Sequence, residues 1–483
     1  MAVGGRRRHG GGWDVERAGM MEFAALQQGL RGVFETGRTA DVAWRERQLL
    51  ALERMMAERE NELADALMAD LGKPRMEAWF GEIGMVMQEA KYLRRNLRKW
   101  AARRRVSTPL LGLPARSWTL AEPLGLVLII SPWNYPLQLP LAGLAAVLAA
   151  GNCAVIKPSE LAPASSALLA RLVAEYLDPE CVKVVTGAVH ETTCLLEMPW
   201  DHILYTGGGA IGRIVLAAAA KHLTPVTLEL GGKSPCVVMA DADLSVAARR
   251  IAWGKFMNAG QTCIAPDYVI LVGSASLEKQ LVAALQRTIT EMFGEEPEQS
   301  ESFGRIVNAR HFERVLALIQ DDRVNVAVGG HANADSRYIA PTVLTDVSAD
   351  CAAMQEEIFG PVLPVMRMED LESAMRFIRA RDKPLAAYLF TKDAAVETRF
   401  EQQVSCGSMC INDTMFFMSV PELPFGGVGA SGMGCYTGQH GFNTFSHNKA
   451  VMRRAWWPDL ALRYAPYSTR KLEIFQWAVK LSS

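Results

Sequence analysis

No stretch of the 483 residues reaches the roughly 18 to 20 consecutive apolar positions that a membrane-spanning helix requires. Leu124 to Ser131 has the length of a buried strand, and Leu137 to Ala150 is interrupted by Gln138, Pro140 and Gly143, as suits a buried helix. An excess of charge of one sign is also missing. With 51 Lys and Arg against 52 Asp and Glu, the net charge of −1 gives no electrostatic reason to expect nucleic acid or an acidic partner. The nine cysteines (153, 181, 194, 236, 263, 351, 406, 410 and 435) lack the even number and the spacing of a disulfide framework. They read as reduced thiols of a reducing, cytoplasmic compartment. Cys406 and Cys410 form C-x-x-x-C without a His pair at i, i+4, which argues against a metal site. There is no internal repeat and no low-complexity segment. The Gly- and Arg-rich start, Met1 to Trp13, has no apolar core for an export signal. Residues 1–20 are expected to form a disordered extension, with Met20 or Met21 as an alternative start.

What is present is bulk and pattern. Half of the residues are hydrophobic, and the length suits two or three domains. From Glu22 to about Arg105 the pattern is helical, with charge and Leu/Met alternating at helical spacing over Arg45 to Leu71 and again over Glu77 to Trp100. The run Arg103–Arg105 reads as a solvated helix end rather than a phosphate patch. Residues 106–122 suggest an exposed hairpin arm. From Leu124 to Leu230 strands and helices alternate: strands Val127 to Ile130, Ala154 to Lys157, Val182 to Thr186, His202 to Thr206 and Val226 to Leu230, with helices Leu137 to Ala149, Ala164 to Glu175 and Ile211 to His222. Such alternation implies a parallel sheet covered on both faces. A second α/β run follows to about Cys410, with strands near Pro235 to Met239, Tyr268 to Val272, Val324 to Val328 and Ala387 to Thr391. The expected fold class is α/β, with two Rossmann-like parallel-sheet domains and a small arm.

Two segments carry the chemistry. Gly260-Gln261-Thr262-Cys263 offers a thiol after a glycine-bearing turn, and Leu228-Glu229-Leu230-Gly231-Gly232-Lys233 offers a carboxylate at the end of an apolar strand. A nucleophilic thiol needs a partner that takes a proton or activates water. Gly207-Gly208-Gly209-Ala210-Ile211-Gly212 lies between a strand and an Ala-rich helix, where backbone can approach a pyrophosphate at a helix N-terminus. Glu229 then falls about 20 residues on, where a dinucleotide fold places its ribose acid, a rival role for that carboxylate. Lys157-Pro158-Ser159-Glu160 weighs against the rival, because an ammonium and a carboxylate at that spacing can hold an adenosine ribose. The alternative there is a surface ion pair. Ser131-Pro132-Trp133-Asn134-Tyr135-Pro136 is a rigid turn whose Asn134 can present an amide N–H to an oxyanion or simply cap the turn. Gln355-Glu356-Glu357-Ile358-Phe359-Gly360-Pro361 says little alone.

Taken in order, Pro-Trp-Asn-Tyr-Pro, Lys-Pro-Ser-Glu, Leu-Glu-Leu-Gly-Gly-Lys, Gly-Gln-Thr-Cys, Glu-Glu-Ile-Phe-Gly-Pro and Pro424-Phe425-Gly426-Gly427-Val428-Gly429 resemble the aldehyde dehydrogenase superfamily over residues 21–450. Gln261 to Tyr268 and the ending Gly441 to His447 resemble its class 3 branch, which includes dimeric medium-chain and aromatic, fatty and coniferyl aldehyde dehydrogenases. The resemblance implies NAD as cofactor, with NADP possible, an aldehyde as substrate and a homodimer. It implies a NAD(P)-binding domain from 21–105 and 123–229, a catalytic domain from 230–412, and an oligomerisation arm and C-terminal extension from 106–122 and 413–483. Cys263 resembles the nucleophile, Asn134 the oxyanion donor and Glu229 the base that activates water. Trp133, Lys157, Glu160, Gly207 to Gly212, Leu230, Glu357 and Phe359 resemble the cofactor site. A glutamate at the place of Glu357 can share the base role in this branch.

The sequence also departs from the branch. Where a histidine usually stands, Phe417 sits in the apolar run Met415-Phe416-Phe417-Met418. With Tyr135, Trp253 and Met257 it implies a greasy substrate tunnel and hydrophobic aldehydes. The charged ending Lys471 to Lys480 is too short to span a membrane. The competing functions are a CoA-acylating dehydrogenase, which usually lacks the equivalent of Glu229, and a non-catalytic nucleotide-binding or structural protein on the same fold.

Overall fold

The computed structural model describes residues 11–482, with side chains from 20 to 481. Of the expected extension, residues 1–10 lie outside the described residues; from Gly11 the backbone is helical, forming the start of the helix Gly11–Glu35.

One sheet is ordered Gly432–Met433, Val226–Leu230, His202–Gly207, Leu126–Ile130, Cys153–Lys157 and Val182–Val184, parallel except at its Gly432 edge. Every residue of Leu126–Ile130 and Cys153–Lys157 is buried, which is why those strands read as unbroken apolar runs rather than alternating ones. The helix Gln138–Ala150 is buried all round and stops at Gly151, whose φ of 92° lets its N–H return to the Leu148 carbonyl. The second sheet is ordered Asn325–Val328, Thr342–Thr345, Val362–Met368, Tyr268–Val272, Pro235–Met239, Ala386–Phe390 and Ser408–Ile411, antiparallel only at the first pairing.

The hairpin arm is present as Arg104–Val106 paired with Ala115–Pro123, and a third antiparallel strand, Ser446–Arg454, completes it. Among the described residues of 413–483 that strand joins the arm's sheet, and the helix Thr469–Ser482 packs against its turn Leu110–Gly112. Gly432–Met433 instead returns to the first sheet, opposite Glu229 and Leu228.

The helical spacing over Arg45 to Leu71 resolves into two helices, Val42–Glu58 and Glu60–Leu71. The break falls at Arg59 (φ −112°), whose guanidinium reaches Glu62 and the Tyr176 hydroxyl. A side-chain network, not a Gly or Pro, marks it, so hydrophobic periodicity cannot see it. Likewise Trp79–Ile83 is a π-turn inside the expected helix Glu77 to Trp100, a feature often found beside functional sites.

Candidate active site

The carboxyl ends of the first sheet's strands converge with the turn that carries Cys263. Crevices outside such strand ends are where α/β sheets bind ligands. Asn258, Ala259 and Gly260 are all left-handed (φ 54°, 50° and 74°) immediately before Gln261-Thr262-Cys263. Strained backbone of this kind persists only where its surroundings hold it, and here they do. The Asn258 amide donates to the Asn134 carbonyl (2.9 Å) and the Gln261 carbonyl (3.1 Å). Gln261 donates to the carbonyls of Asn258 and Arg305 and accepts from the Val307 N–H, each at 3.0 Å. At Gly260 a side chain would run into the Gly360 carbonyl. The Thr262 hydroxyl bonds that of Tyr135 at 2.8 Å.

Asn134 is buried, and one of its amide hydrogens goes to the Gln261 carbonyl (3.0 Å), which puts the side chain alongside the turn of the thiol. Its backbone carbonyl also accepts from Lys73 Nζ (3.1 Å). Lys73 is ion-paired with Glu82, both essentially inaccessible, and Glu82 accepts the N–H groups of Leu137 (2.9 Å) and Gln138 (3.1 Å). Sequence reasoning missed Lys73, Glu82 and Asn258. Lys73 falls between the two helical stretches and Glu82 within one, where a charged residue looks like part of a solvated face, and an asparagine two residues before a glycine looks like an ordinary turn.

Glu229 is 2% exposed, and neither carboxylate oxygen has a hydrogen-bond partner. Burial alone drives its pKa well above the ordinary carboxylate value. Burial also raises the Cys263 thiol, and the neighbouring Glu357 and Glu229 raise it further. Glu357 is pushed up to about 8 by burial and by Asp267, against the Gly232 N–H, Lys233 and Arg314, which favour its charged form. The loop carrying Glu357 is tied down. Lys233 donates to the carbonyls of Ala353 (2.7 Å) and Glu356 (3.0 Å) and pairs with Asp267, which accepts the Ile358 N–H at 3.0 Å. A thiol is thus flanked by two carboxyl groups whose burial favours their protonated form, an arrangement suited to covalent chemistry with proton transfer.

The glycine segment fits a dinucleotide. Gly208 is the N-cap of the helix Gly209–Ala220, and the space a Cβ would occupy there is open. Ala210 and Ile211 are exposed in its first turn. Gly212 lets that helix pack against Leu230, with which a larger residue would collide. Lys157 Nζ donates to the Pro158 carbonyl (2.7 Å) and lies 3.7 Å from the half-exposed Glu160 carboxylate. The Trp133 ring meets Phe359 edge-on at 5.4 Å and His311 at 5.2 Å.

An apolar cavity leads to Cys263 between Tyr135, Trp253, Met257, Phe416, Met418 and Phe425. The π-turn supplies Phe80 and Gly81 to its wall. Phe80, Trp253 and Phe416 form an aromatic cluster with centroids 5.4–6.0 Å apart. Phe417 does not line this cavity, contrary to the sequence expectation. The 3₁₀ turn Phe416–Ser419 starts from a left-handed Met415 (φ 59°) and rotates Phe417 away from it. Phe417 stacks on Phe425 (6.4 Å) and lines an adjoining crevice instead. Phe416 and Met418 take its place.

Comparison with known proteins bears on this geometry. The pattern of the aldehyde dehydrogenase family matches residues 13–451. A dimeric NADP-preferring aldehyde dehydrogenase of Canis lupus familiaris is 45% identical over 92% of this chain and 98% of its own. The 4,4'-diaponeurosporen-aldehyde dehydrogenase of Staphylococcus aureus is 43% identical over 90% of this chain and 95% of its own. Among solved structures, the substrate-bound state of Staphylococcus aureus AldH superposes with a TM-score of 0.92 at 41% identity, covering 94% of this chain and 99% of that one.

Proposed function

Because the chain belongs to the aldehyde dehydrogenase family, we propose that it oxidises hydrophobic aldehydes, medium- or long-chain aliphatic or aromatic, to carboxylic acids with NAD(P), using Cys263 as nucleophile. The observation that carries this reading is the apolar cavity ending at Cys263. The Cys263 thiol gives its proton to the neighbouring Glu357 carboxylate as its sulfur attacks the aldehyde carbon. The developing oxyanion is held by the Asn134 amide and the Cys263 backbone N–H, whose preorganisation stabilises the transition state. When bound, the nicotinamide would supply the hydride acceptor needed for the adduct to become a thioester. Glu229 takes a proton from water as that water attacks the thioester, and the sulfur leaves with its electron pair. Glu357, facing the same thiol, is suited to share the proton traffic and to meet the nicotinamide ribose with Phe359 and Trp133. Gly207 to Gly212 would receive the pyrophosphate, with Leu230 behind them, and Lys157 and Glu160 the adenosine ribose.

In this reading residues 21–105 and 123–229 serve the cofactor, 230–412 the chemistry, and the arm a homodimer. NAD is favoured over NADP because the Glu160 carboxylate would repel a 2′-phosphate. A reducing, cytoplasmic setting is supported by nine free thiols. Among the described residues no helix is long and apolar enough to cross a membrane. Nothing favours a CoA-acylating or a non-catalytic role. The test is formation of reduced nicotinamide across propanal, decanal, benzaldehyde and coniferaldehyde without CoA. Turnover should rise with apolar bulk and fall at least about 10³-fold in Cys263→Ala; a flat profile contradicts the hydrophobic preference, and turnover that survives in the variant contradicts the nucleophile.

A further inference from the structure

If Glu229 activates water, as proposed above, it must shed a proton in every cycle, and its burial without a hydrogen-bond partner closes the direct way out. The segment Gly432–Gly438 runs from Glu229 to a second carboxyl group. At one end Gly432 is paired with Glu229, and the Leu230 N–H donates to the Ser431 carbonyl at 3.0 Å. At the other end the Gly438 N–H donates to Glu89 Oε1 at 2.7 Å. Between them Tyr436 is fully buried, and its hydroxyl has no hydrogen-bond partner. The charges of Glu229, Cys263 and Glu89 all act on that hydroxyl. Burying an unpaired hydroxyl is costly. A phenyl ring would fill the same place against Phe425 (6.1 Å, edge-on) without that cost, so the oxygen calls for a functional reason. Glu89, on the helix Gly84–Ala101, lines the crevice beside the substrate cavity, next to the exposed Gln88 and Leu423.

We propose that Tyr436 is the relay by which the proton taken up by Glu229 passes to Glu89 and leaves through the second cavity. Water gives its proton to Glu229 as its oxygen bonds the thioester carbon and the carbon–sulfur bond breaks. Afterwards the neutral Glu229 gives that proton to the Tyr436 oxygen while the Tyr436 O–H proton moves on to Glu89, over a bridging water at each gap. Glu229 and Tyr436 are thereby restored, and Glu89 releases the proton to solvent. No electron changes hands. The step concerns thioester hydrolysis and leaves hydride transfer untouched.

The experiment is stopped-flow formation of reduced nicotinamide, combined with acid quench to count acylated Cys263, in the unmodified protein and in Tyr436→Phe, Glu89→Gln, the double variant and Glu229→Gln. The relay predicts a burst of unchanged rate near one equivalent per site in the first two variants. Their acyl-enzyme should decay about tenfold more slowly, and the double variant should be no slower than the slower single one. Hydrolysis at the unmodified rate in both single variants overturns the relay, as does loss of the burst in step with hydrolysis, which marks a structural defect. Additive slowing in the double variant overturns it as well. Glu229→Gln separates the two readings: if its acyl-enzyme decays normally, the water-activating role of Glu229 fails. If it decays slowly while Tyr436→Phe does not, only the relay fails.

Discussion

Gly231 and Glu357 compete for one volume: a Cβ on Gly231 would fall on the Glu357 carboxylate. That glycine follows the strand carrying Glu229, and the glutamate comes from the loop pinned by Lys233 and Asp267. The absent side chain is what brings the second carboxyl group up to Cys263. Gly231→Ala is therefore expected to displace Glu357 and lower kcat/KM by about tenfold, equivalent to about 1.4 kcal/mol, with little change in thermal stability because the displaced group is the end of a flexible side chain. Unchanged kinetics in this variant would show that the position of Glu357 is immaterial.

The pH dependence of Glu357 has a definite sign. With its pKa raised to about 8, the group is neutral below that pH and ionised above it. If its ionised form carries protons away from the site, turnover should climb with pH and level off above about 8. Glu357→Gln should flatten that limb of the profile. A limb that persists in the variant assigns it to another group.

The order of the motifs made the strands and the site legible, because each motif ends a strand of the first sheet or a turn facing it. Leu126–Ile130 and Cys153–Lys157 were visible as apolar runs. Thr342–Thr345, Val362–Met368 and Ser408–Ile411 were not, since Pro364, Arg367 and short length break their signal. Lys73 and Glu82 were hidden because their partners lie in a loop far along the chain. Phe417 was misplaced because a run of four apolar residues does not say which of them faces the cavity. The left-handed Met415 decides that, and no local pattern announces it.

The tunnel assignment is tested by contrast. Phe416 and Met418 line the apolar cavity that reaches Cys263, whereas Phe417 lies outside it against Phe425. Phe416→Ala should raise KM for decanal and benzaldehyde several-fold while sparing propanal, since apolar contact is worth about 25 cal/mol per Å² buried. Phe417→Ala should act on stability instead, by roughly 3 kcal/mol for a buried aromatic, with chain-length preference unchanged. The opposite pattern, measured as KM against chain length and as a denaturant midpoint, would restore Phe417 to the tunnel.

If Glu160 meets the adenosine ribose, as proposed, cofactor choice turns on it. Its carboxylate lies near the Lys157 ammonium and opens to solvent at the end of the strand Cys153–Lys157. Glu160→Gln removes one negative charge where a 2′-phosphate would sit. It should improve kcat/KM for NADP relative to NAD by about three- to tenfold at low salt, and by less as salt screens the charge. A ratio that does not move would place the ribose elsewhere.

His202 makes acid sensitivity a property of the fold. It sits buried on the strand His202–Gly207, with Nε2 at 2.9 Å from the Thr227 hydroxyl, its ring edge-on to Phe445 at 5.1 Å, and Nδ1 without a partner. Burial lowers its pKa from 6.5 to about 4. The unfolded chain therefore binds a proton below about 6.5 that the folded chain refuses until about 4, so stability is lost as pH falls through that window and not above it. The shift corresponds to at most about 3 kcal/mol. Glu357 and Glu89, whose pKa values are raised to about 8 and about 7, act in the opposite direction, gaining stability on acidification. The comparison must therefore be between variants rather than between pH values alone. His202→Gln removes the titrating ring, and its stability difference from the unmodified protein should shrink between pH 7 and pH 4.5. A difference that stays constant across that range would mean that His202 accepts its proton in the folded state as readily as in the unfolded one.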